Sequence, residues 1–153
     1  MNNVEYHEAI PTEYCGVKFR SKSEAIFARG LEFRQFIWQY EPWWWNVKGW
    51  TPDFWAIRQS VTSHINVSLL IEYKPRIVTD TYKDLLLKRF HDLGQQTCGH
   101  LCVLACGNWF DKEYDTFYIS DAGKWKRCEK ELQLFQFIEE AAKFRFDLQP
   151  AYA

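Results

Sequence analysis

The segment 67–74, VSLLIEYK, constrains the fold of this chain more than any other stretch. It is apolar on both faces of an extended strand, which is typical of a strand in the middle of a sheet. Pro75 ends it, because proline has no N–H to donate to a neighbouring strand. Glu72 and Lys74 point to one face, since side chains alternate along a strand. The segment therefore predicts a central strand that ends with two charged residues, Glu72 and Lys74, although a central strand is expected to be apolar.

Helices and strands are predicted on both sides of this segment. Helices are expected at 19–36 with Ser21 as N-cap, at 80–94 with Asp80 as cap and Gly94 as its end, and at 126–146. Further strands are expected at 37–47, 50–57, 100–107 and 116–121, and residues 1–18 are expected to be irregular or lightly extended. This α-β-β-β-α-β order, followed by a C-terminal strand and helix, predicts an α/β fold with a mixed central β-sheet flanked by helices.

Length and composition limit the function classes that the chain can belong to. The 153 residues are interpreted as a single domain, 1–153. Because the formal net charge is only -1, any nucleic-acid binding must rely on a local basic patch. The five cysteines are odd in number and no signal peptide is recognisable, which favours free thiols in a cytoplasmic protein. No stretch is long and apolar enough to predict a membrane span.

Tryptophan is unusually frequent, and three of the eight stand together at 43–45. Exposed indoles could stack on bases, but large aromatic side chains are more often part of the core. Core packing is therefore the expectation for this run. Cys102 and Cys106 lie in a predicted buried strand and are expected to be buried free thiols rather than zinc ligands.

Several acidic residues are predicted to converge on the end of the central strand. Asp53 follows Pro52 at the start of the preceding strand, and a hairpin between 50–57 and 67–74 brings Asp53 close to Glu72. Two adjacent carboxylates repel each other unless a cation lies between them, and oxygen ligands of this kind suit Mg²⁺ or Mn²⁺. Lys74 would then orient water or stabilise charge on a phosphate, and Glu24 adds a third acid.

Each of these residues also has a purely structural interpretation. Glu72 and Lys74 are explained equally well as a neighbouring ion pair at the solvent end of the strand, where such pairs contribute little. Glu24 is explained as the third residue of a capping box that begins at Ser21. Both alternatives remain open on the sequence alone.

Taken together, Glu24, Pro52-Asp53 and Glu72-Tyr73-Lys74 resemble the PD-(D/E)XK nuclease superfamily, which has the restriction-endonuclease-like fold. The resemblance covers roughly residues 14–107. It includes YCGVKFRSKSEA, YEP, TPDFW and IEYKP, which are arranged as in small phage-type and transposon-end-cleaving endonucleases of that superfamily.

The resemblance implies a role for each of these residues. Asp53 and Glu72 would be carboxylate ligands of Mg²⁺ or Mn²⁺, the backbone carbonyl of Tyr73 would join them, and its ring would pack in the core. Glu24 would bind metal directly, through water or at a second ion. Lys74 would position or activate the attacking water. The reaction would be metal-dependent hydrolysis of DNA phosphodiester bonds, leaving 5′-phosphates.

The resemblance also implies contacts with the DNA backbone and with other proteins. The resemblance implies a polar contact from the second core helix, where Lys83 and Lys88 could touch phosphates, although the spacing does not select among its basic residues. Lys18, Arg20 and Lys22 could form a local basic patch beside Glu24, and a solvated surface is the commoner meaning of such charges. With little chain left for a separate recognition domain, structure-selective or partner-directed cleavage is expected, by a homodimer or beside a targeting protein. Two alternatives remain: a catalytically silent nucleic-acid- or protein-binding module on the same fold, and an unrelated interaction domain with a charged surface cluster.

Overall fold

The computed structural model describes residues 10–33, 35–59, 66–94, 100–108, 113–120, 122–127 and 149–150. Two helices are present in these ranges, α1 (Lys22–Phe33) and α2 (Asp80–Asp92). The strands are β1 (Thr12–Tyr14), β2 (Val17–Phe19), β3 (Ile37–Tyr40), β4 (Phe54–Gln59), β5 (Asn66–Lys74), β6 (Leu101–Asn108), β7 (Glu113–Ile119), β8 (Trp125–Arg127) and β9 (Gln149–Pro150). Within the described ranges, no helix has the length and apolar character needed to span a membrane.

A six-stranded mixed sheet forms the centre of the molecule, in the order β3-β4-β5-β6-β7-β8. Strands β5 and β6 pair in parallel, and every other neighbouring pair in this sheet is antiparallel. The parallel pair requires a crossover, which is the segment that contains α2. The mixed sheet flanked by helices confirms the predicted fold class, and β5 is central as its sequence predicts.

The two faces of the sheet are covered by different elements, because β5 is apolar on both sides. On one face Ile71 and Tyr73 belong to a core cluster with Phe27 and Leu31 of α1. On the other face Leu70 packs with residues of α2, including Phe90. Alternation along β5 therefore directs Glu72 and Lys74 to the α2 face, beyond Leu70.

Both helices begin at side-chain caps, one of them different from the prediction. The Ser21 hydroxyl accepts a hydrogen bond from the backbone N–H of Glu24 at 3.2 Å, as the capping-box pattern predicts. At α2 the N-cap is Thr79, whose hydroxyl accepts from the N–H of Tyr82. The prediction of Asp80 is wrong by one residue: Asp80 lies in the first turn and pairs with Lys83 at 3.1 Å.

Other local predictions are refined or corrected by the structure. The part of 1–18 that the structure describes, residues 10–18, is partly extended, as one of the two predicted alternatives has it, and β1 pairs with both β2 and β9. The strand predicted at 37–47 ends at Tyr40, and the tryptophan run lies in a turn, where Trp45 is buried but Trp43 is 74% exposed. The helix predicted at 126–146 does not begin there, because residues 126 and 127 belong to β8; residues 128–146 lie outside the described ranges.

The cysteines that the structure describes behave as their surroundings in the sequence predict. Cys102 and Cys106 are free thiols buried in β6, and Cys15 is free and exposed. Cys98 and Cys128 lie outside the described residues. Burial raises the pKa of both β6 thiols, so they pack as apolar groups rather than as reactive thiolates.

Candidate active site

Asp53 lies one residue before β4, at the end of the strand that pairs with β5. The register Phe54↔Ile71, extended by one residue, puts Asp53 opposite Glu72. One carboxylate oxygen, Oδ2, accepts a hydrogen bond from the backbone N–H of Tyr73 at 2.8 Å. This bond fixes a carboxylate that is only 3% exposed against the last residues of the central strand.

Glu72 is a buried carboxylate whose two oxygens have different surroundings. Oε2 accepts from the hydroxyl of Tyr82 in α2 at 3.1 Å and lies 3.6 Å from Nζ of Lys74. Oε1 is buried and has no hydrogen-bond partner among the residues that the structure describes. The pair with Lys74 does form, but Glu72 is 3% exposed, so an ion pair at a solvent-exposed strand end does not describe it.

Glu24 combines the capping role with a place in the acidic site. Its side chain is buried in the first turn of α1, where Oε1 accepts from the hydroxyl of Tyr40 at 3.1 Å and from that of Ser21 at 3.3 Å. The other oxygen, Oε2, lies 3.0 Å from the guanidinium of Arg20. The capping box therefore explains the hydrogen bond from the backbone N–H of Glu24 to Ser21. It does not explain the contacts of the Glu24 side chain with Tyr40 and Arg20.

Arg20 joins the two acidic residues that approach each other from α1 and β4. One guanidinium nitrogen, Nη2, donates to Glu24 Oε2 at 3.0 Å and to Asp53 Oδ1 at 2.8 Å. Nε donates to the hydroxyl of Tyr40 at 3.0 Å and lies 3.6 Å from a carboxylate oxygen of Glu41. Arg20, which the sequence predicted to contact DNA, thus has its guanidinium bound to the acidic site.

Two carboxyl groups of this site, those of Asp53 and Glu24, have a raised pKa. Burial, followed by the negative charge of Glu72, raises the pKa of Asp53 to about 8. Burial, followed by the charge of Asp53, raises the pKa of Glu24. The N–H of Tyr73 and the nearby Lys74 and Arg20 act in the opposite direction at Asp53 without cancelling the effect. The surroundings of Asp53 and Glu24 therefore disfavour their charged forms.

Asp53 and Glu72 are the two carboxylates whose oxygens a divalent metal ion would use at this site. Among the described residues, no three or more His, Cys, Asp or Glu side chains come together in an arrangement that could hold a metal. Mg²⁺, however, is commonly held by one or two carboxylates, with water and substrate phosphate supplying the other oxygens. The buried, unpartnered Oε1 of Glu72 offers an oxygen for such an ion.

The Tyr73 ring is in the core, stacked 4.8 Å from Phe27, as expected.

The lysines predicted to contact DNA fall into two groups. Lys18 on β2, Lys22 on α1 and Lys88 on α2 are exposed, so their ammonium groups are accessible. Lys83 differs, because it pairs with Asp80 and its Nζ lies 4.4 Å from the centre of the Phe117 ring. The structure thus gives Lys83 a packing role, and its contact with DNA stays a prediction.

Sequence reasoning missed Tyr40 and Tyr82, the two tyrosines that hold the carboxylates. Tyr82 shares the buried side of α2 with Leu86 and Phe90, at intervals of four residues, so its hydroxyl is carried toward the sheet. The four-residue spacing of Tyr82, Leu86 and Phe90 is visible in the sequence, so helical periodicity could have placed Tyr82 on the buried side of α2. Tyr40 is the last residue of β3, opposite Phe54, and only the fold brings it to Glu24.

Compared with known proteins, the chain matches no family model, no curated protein and no solved structure.

Proposed function

We propose that the protein is a metal-dependent DNA endonuclease of the PD-(D/E)XK type, which hydrolyses phosphodiester bonds and leaves 5′-phosphates. The observation that carries the proposal is the meeting of Asp53, Glu72 and Lys74 at the ends of two neighbouring strands. Burial makes a charged carboxylate costly in free energy, and a second carboxylate nearby adds repulsion unless a cation compensates the pair. Burial first, and then the charge of Glu72, raises the pKa of Asp53 to about 8. The element order α1-β3-β4-β5-α2-β6 is the one that the family resemblance implies.

In this proposal the acidic residues hold Mg²⁺ or Mn²⁺. Asp53 and Glu72 supply carboxylate oxygens, the backbone carbonyl of Tyr73 is the third donor, and Glu24 binds directly or through water. The bound cation supplies positive charge that polarises the phosphate and favours deprotonation of water. Tyr82 keeps Glu72 in position through its hydrogen bond to Oε2.

Lys74 has the chemistry and the position to act on water and phosphate. Its ammonium lies 3.6 Å from Glu72 Oε2, and the side chain is partly exposed, so it reaches the solvent side of the site. It orients the water that attacks phosphorus and stabilises the growing negative charge. The attacking water gives up a proton to solvent as its oxygen bonds to phosphorus. The phosphorus–O3′ bond breaks, O3′ takes up a proton from solvent, and the products are a 5′-phosphate and a 3′-hydroxyl.

The proposed substrate is DNA, bound mainly through its phosphates. Lys18, Lys22 and Lys88 are exposed cations on β2, α1 and α2. Contacts of this kind position a duplex without reading its sequence. We therefore propose selection by DNA structure, or by a targeting partner or a second copy of the chain.

A cleavage assay with the wild type and Asp53→Asn tests the proposal. Supercoiled, linear, branched and single-stranded DNA would be incubated with each protein in Mg²⁺, Mn²⁺ or EDTA. We expect only the wild type to cleave, and only with metal, because the neutral amide of the variant lacks the charge that holds the cation. Cleavage by both proteins, or in EDTA, would contradict the assigned site.

Lys74→Met separates cation binding from the chemical step, and Lys126→Met is its matched control. We expect Lys74→Met to bind Mn²⁺ in calorimetry and to cleave more than about a hundredfold more slowly, a typical loss for a group that acts on water and phosphate. Lys126→Met removes an exposed charge on β8, three strands away from β5, and is expected to retain cleavage. If Lys74→Met turned over normally, Lys74 would have no part in the mechanism.

One contact favours the alternative of a catalytically silent binding module. Arg20 already neutralises part of the negative charge of Glu24 and Asp53 without any metal. If the wild type binds DNA but cleaves none of the four substrates with either metal, this alternative is the better description.

A further inference from the structure

Arg20 occupies the space between two carboxylates, where a metal nuclease would need a metal ion to compensate charge. The same nitrogen, Nη2, lies 3.0 Å from Glu24 Oε2 and 2.8 Å from Asp53 Oδ1. Both carboxylates are buried, while the arginine side chain is 62% exposed. A cation that reaches a buried acidic pair from the solvent side can leave it without disturbing the core.

The backbone around Arg20 is fixed although its side chain is not buried. Phe19, the last residue of β2, is 1% exposed in the core, and Ser21 caps α1 on the other side. The backbone N–H of Arg20 also approaches the Tyr40 hydroxyl at 3.4 Å. The backbone of Arg20 is therefore held in place next to the carboxylates. The guanidinium can leave them by a movement of the arginine side chain alone.

Glu24 keeps other partners if the guanidinium leaves. The hydroxyls of Tyr40 and Ser21 donate to Oε1, and the capping bond from its N–H to Ser21 does not involve Arg20. Asp53 likewise keeps the N–H of Tyr73 on Oδ2. Each carboxylate thus retains its orientation while the oxygen that faced Arg20 becomes available.

We propose that Arg20 is a resident counter-ion of the acidic site, which a divalent cation must displace from Glu24 and Asp53 in order to bind. This inference rests on the proposed metal site at Asp53 and Glu72. Arg20 is in this view a positioning residue: it compensates the carboxylates in the metal-free protein and lowers the apparent affinity for metal. Two cations that compete for one carboxylate pair each weaken the binding of the other.

Mn²⁺ titration by calorimetry tests the inference on the wild type, Arg20→Met and Lys22→Met. Both substitutions remove one positive charge from the same surface, but Lys22 is exposed and only Arg20 bridges the carboxylates. We expect Arg20→Met to bind Mn²⁺ about tenfold more tightly than the wild type, within the range typical of such coupling. Lys22→Met should stay within about twofold of the wild type, because exposed charges are screened.

Arg20→Lys provides a second variant if the methionine substitution does not fold, and circular dichroism checks the fold of each. A lysine has one compact ammonium in place of the planar fork, so it compensates both carboxylates less well and Mn²⁺ binding should again tighten. Unchanged or weaker Mn²⁺ binding in the folded Arg20 variants would overturn the inference while leaving the metal site intact. If none of the proteins bound Mn²⁺, the proposed metal site would fail and the inference with it.

Discussion

At the scale of single residues, Glu72 is a buried carboxylate with one unpartnered oxygen. Its other oxygen has two partners, whereas Oε1 has none in the described part of the chain. A buried acceptor without a partner costs free energy, and the charge of Glu72 adds to the effect of burial in raising the pKa of Asp53. Such an unfavourable arrangement is expected where function, rather than stability, selects the residue.

Replacing the charge at Glu72 is therefore expected to stabilise the metal-free protein. Glu72→Gln preserves the shape and an acceptor for Tyr82 while removing the repulsion with Asp53. We expect the free energy of unfolding in urea with EDTA to rise by about 1 kcal/mol. Glu13→Gln, at an exposed position of β1, is the control and should change it little. A clear loss of stability in Glu72→Gln would mean that the pair with Lys74 outweighs the repulsion.

At the scale of elements, β5, β6 and the turn after β3 meet at His100. Its ring nitrogen Nδ1 lies 2.6 Å from the hydroxyl of Ser68 in β5, and the imidazole packs edge-on 5.0 Å from the Trp45 ring. The indole of Trp55 in β4 also donates to Ser68, at 2.9 Å. Burial lowers the pKa of His100, so the folded protein favours the neutral imidazole at this junction.

From the lowered pKa of His100 we predict a loss of stability in mild acid. Since the pKa of His100 is lower in the folded chain than in the unfolded chain, the unfolded state binds the proton first as pH falls below about 6.5. The wild type should therefore lose more unfolding free energy than His100→Gln between about pH 7.5 and about pH 5. Urea unfolding of both proteins at the two pH values measures this difference. Parallel losses would show that His100 titrates alike in both states.

At the scale of the whole molecule, the candidate site couples elements from both faces of the sheet. Glu24 comes from α1 on one face, Tyr82 from α2 on the other, and the ends of β4 and β5 lie between them. A ligand held by residues of these elements binds only the folded chain. Its binding free energy therefore adds to the stability of the whole fold.

Thermal unfolding with and without Mn²⁺ tests this coupling. At about a hundred times its Kd, a ligand of the folded state adds about 2.7 kcal/mol, which raises the Tm of a chain this size by about 5–10 °C. We expect this rise in the wild type and its loss in Asp53→Asn. Asp84→Asn, at an exposed carboxylate of α2, should keep it. A rise of equal size in Asp53→Asn would place the bound ion elsewhere.

Local patterns accounted for the order α1-β3-β4-β5-α2-β6 and for the acidic residues of the candidate site. Apolar residues on both faces of VSLLIEYK predicted a central strand, side-chain alternation predicted one shared face for Glu72 and Lys74, and β5 has this geometry. The period of 19–36 predicted α1 with its Ser21 cap. Such features depend on neighbours within a few residues, so a sequence specifies them directly.

Errors arose where the outcome depended on distant contacts or on small differences between neighbours. Thr79 rather than Asp80 caps α2, since adjacent residues with similar capping ability compete for one N–H. Trp43 is exposed because the chain turns after Tyr40 instead of continuing as a strand. The segment 125–127 is a strand because the edge of β7 is available for pairing.

The sequence by itself determined which side chains could act, because strand alternation and helix period put Glu24, Asp53, Glu72 and Lys74 on identifiable elements. Only the tertiary structure decided how their charges are compensated. It brought Arg20 between Glu24 and Asp53, across 33 residues of chain, and left Oε1 of Glu72 without a partner among the described residues. Periodicity specifies the direction of a side chain relative to its own element, whereas charge compensation depends on distances between elements that only the packed fold sets.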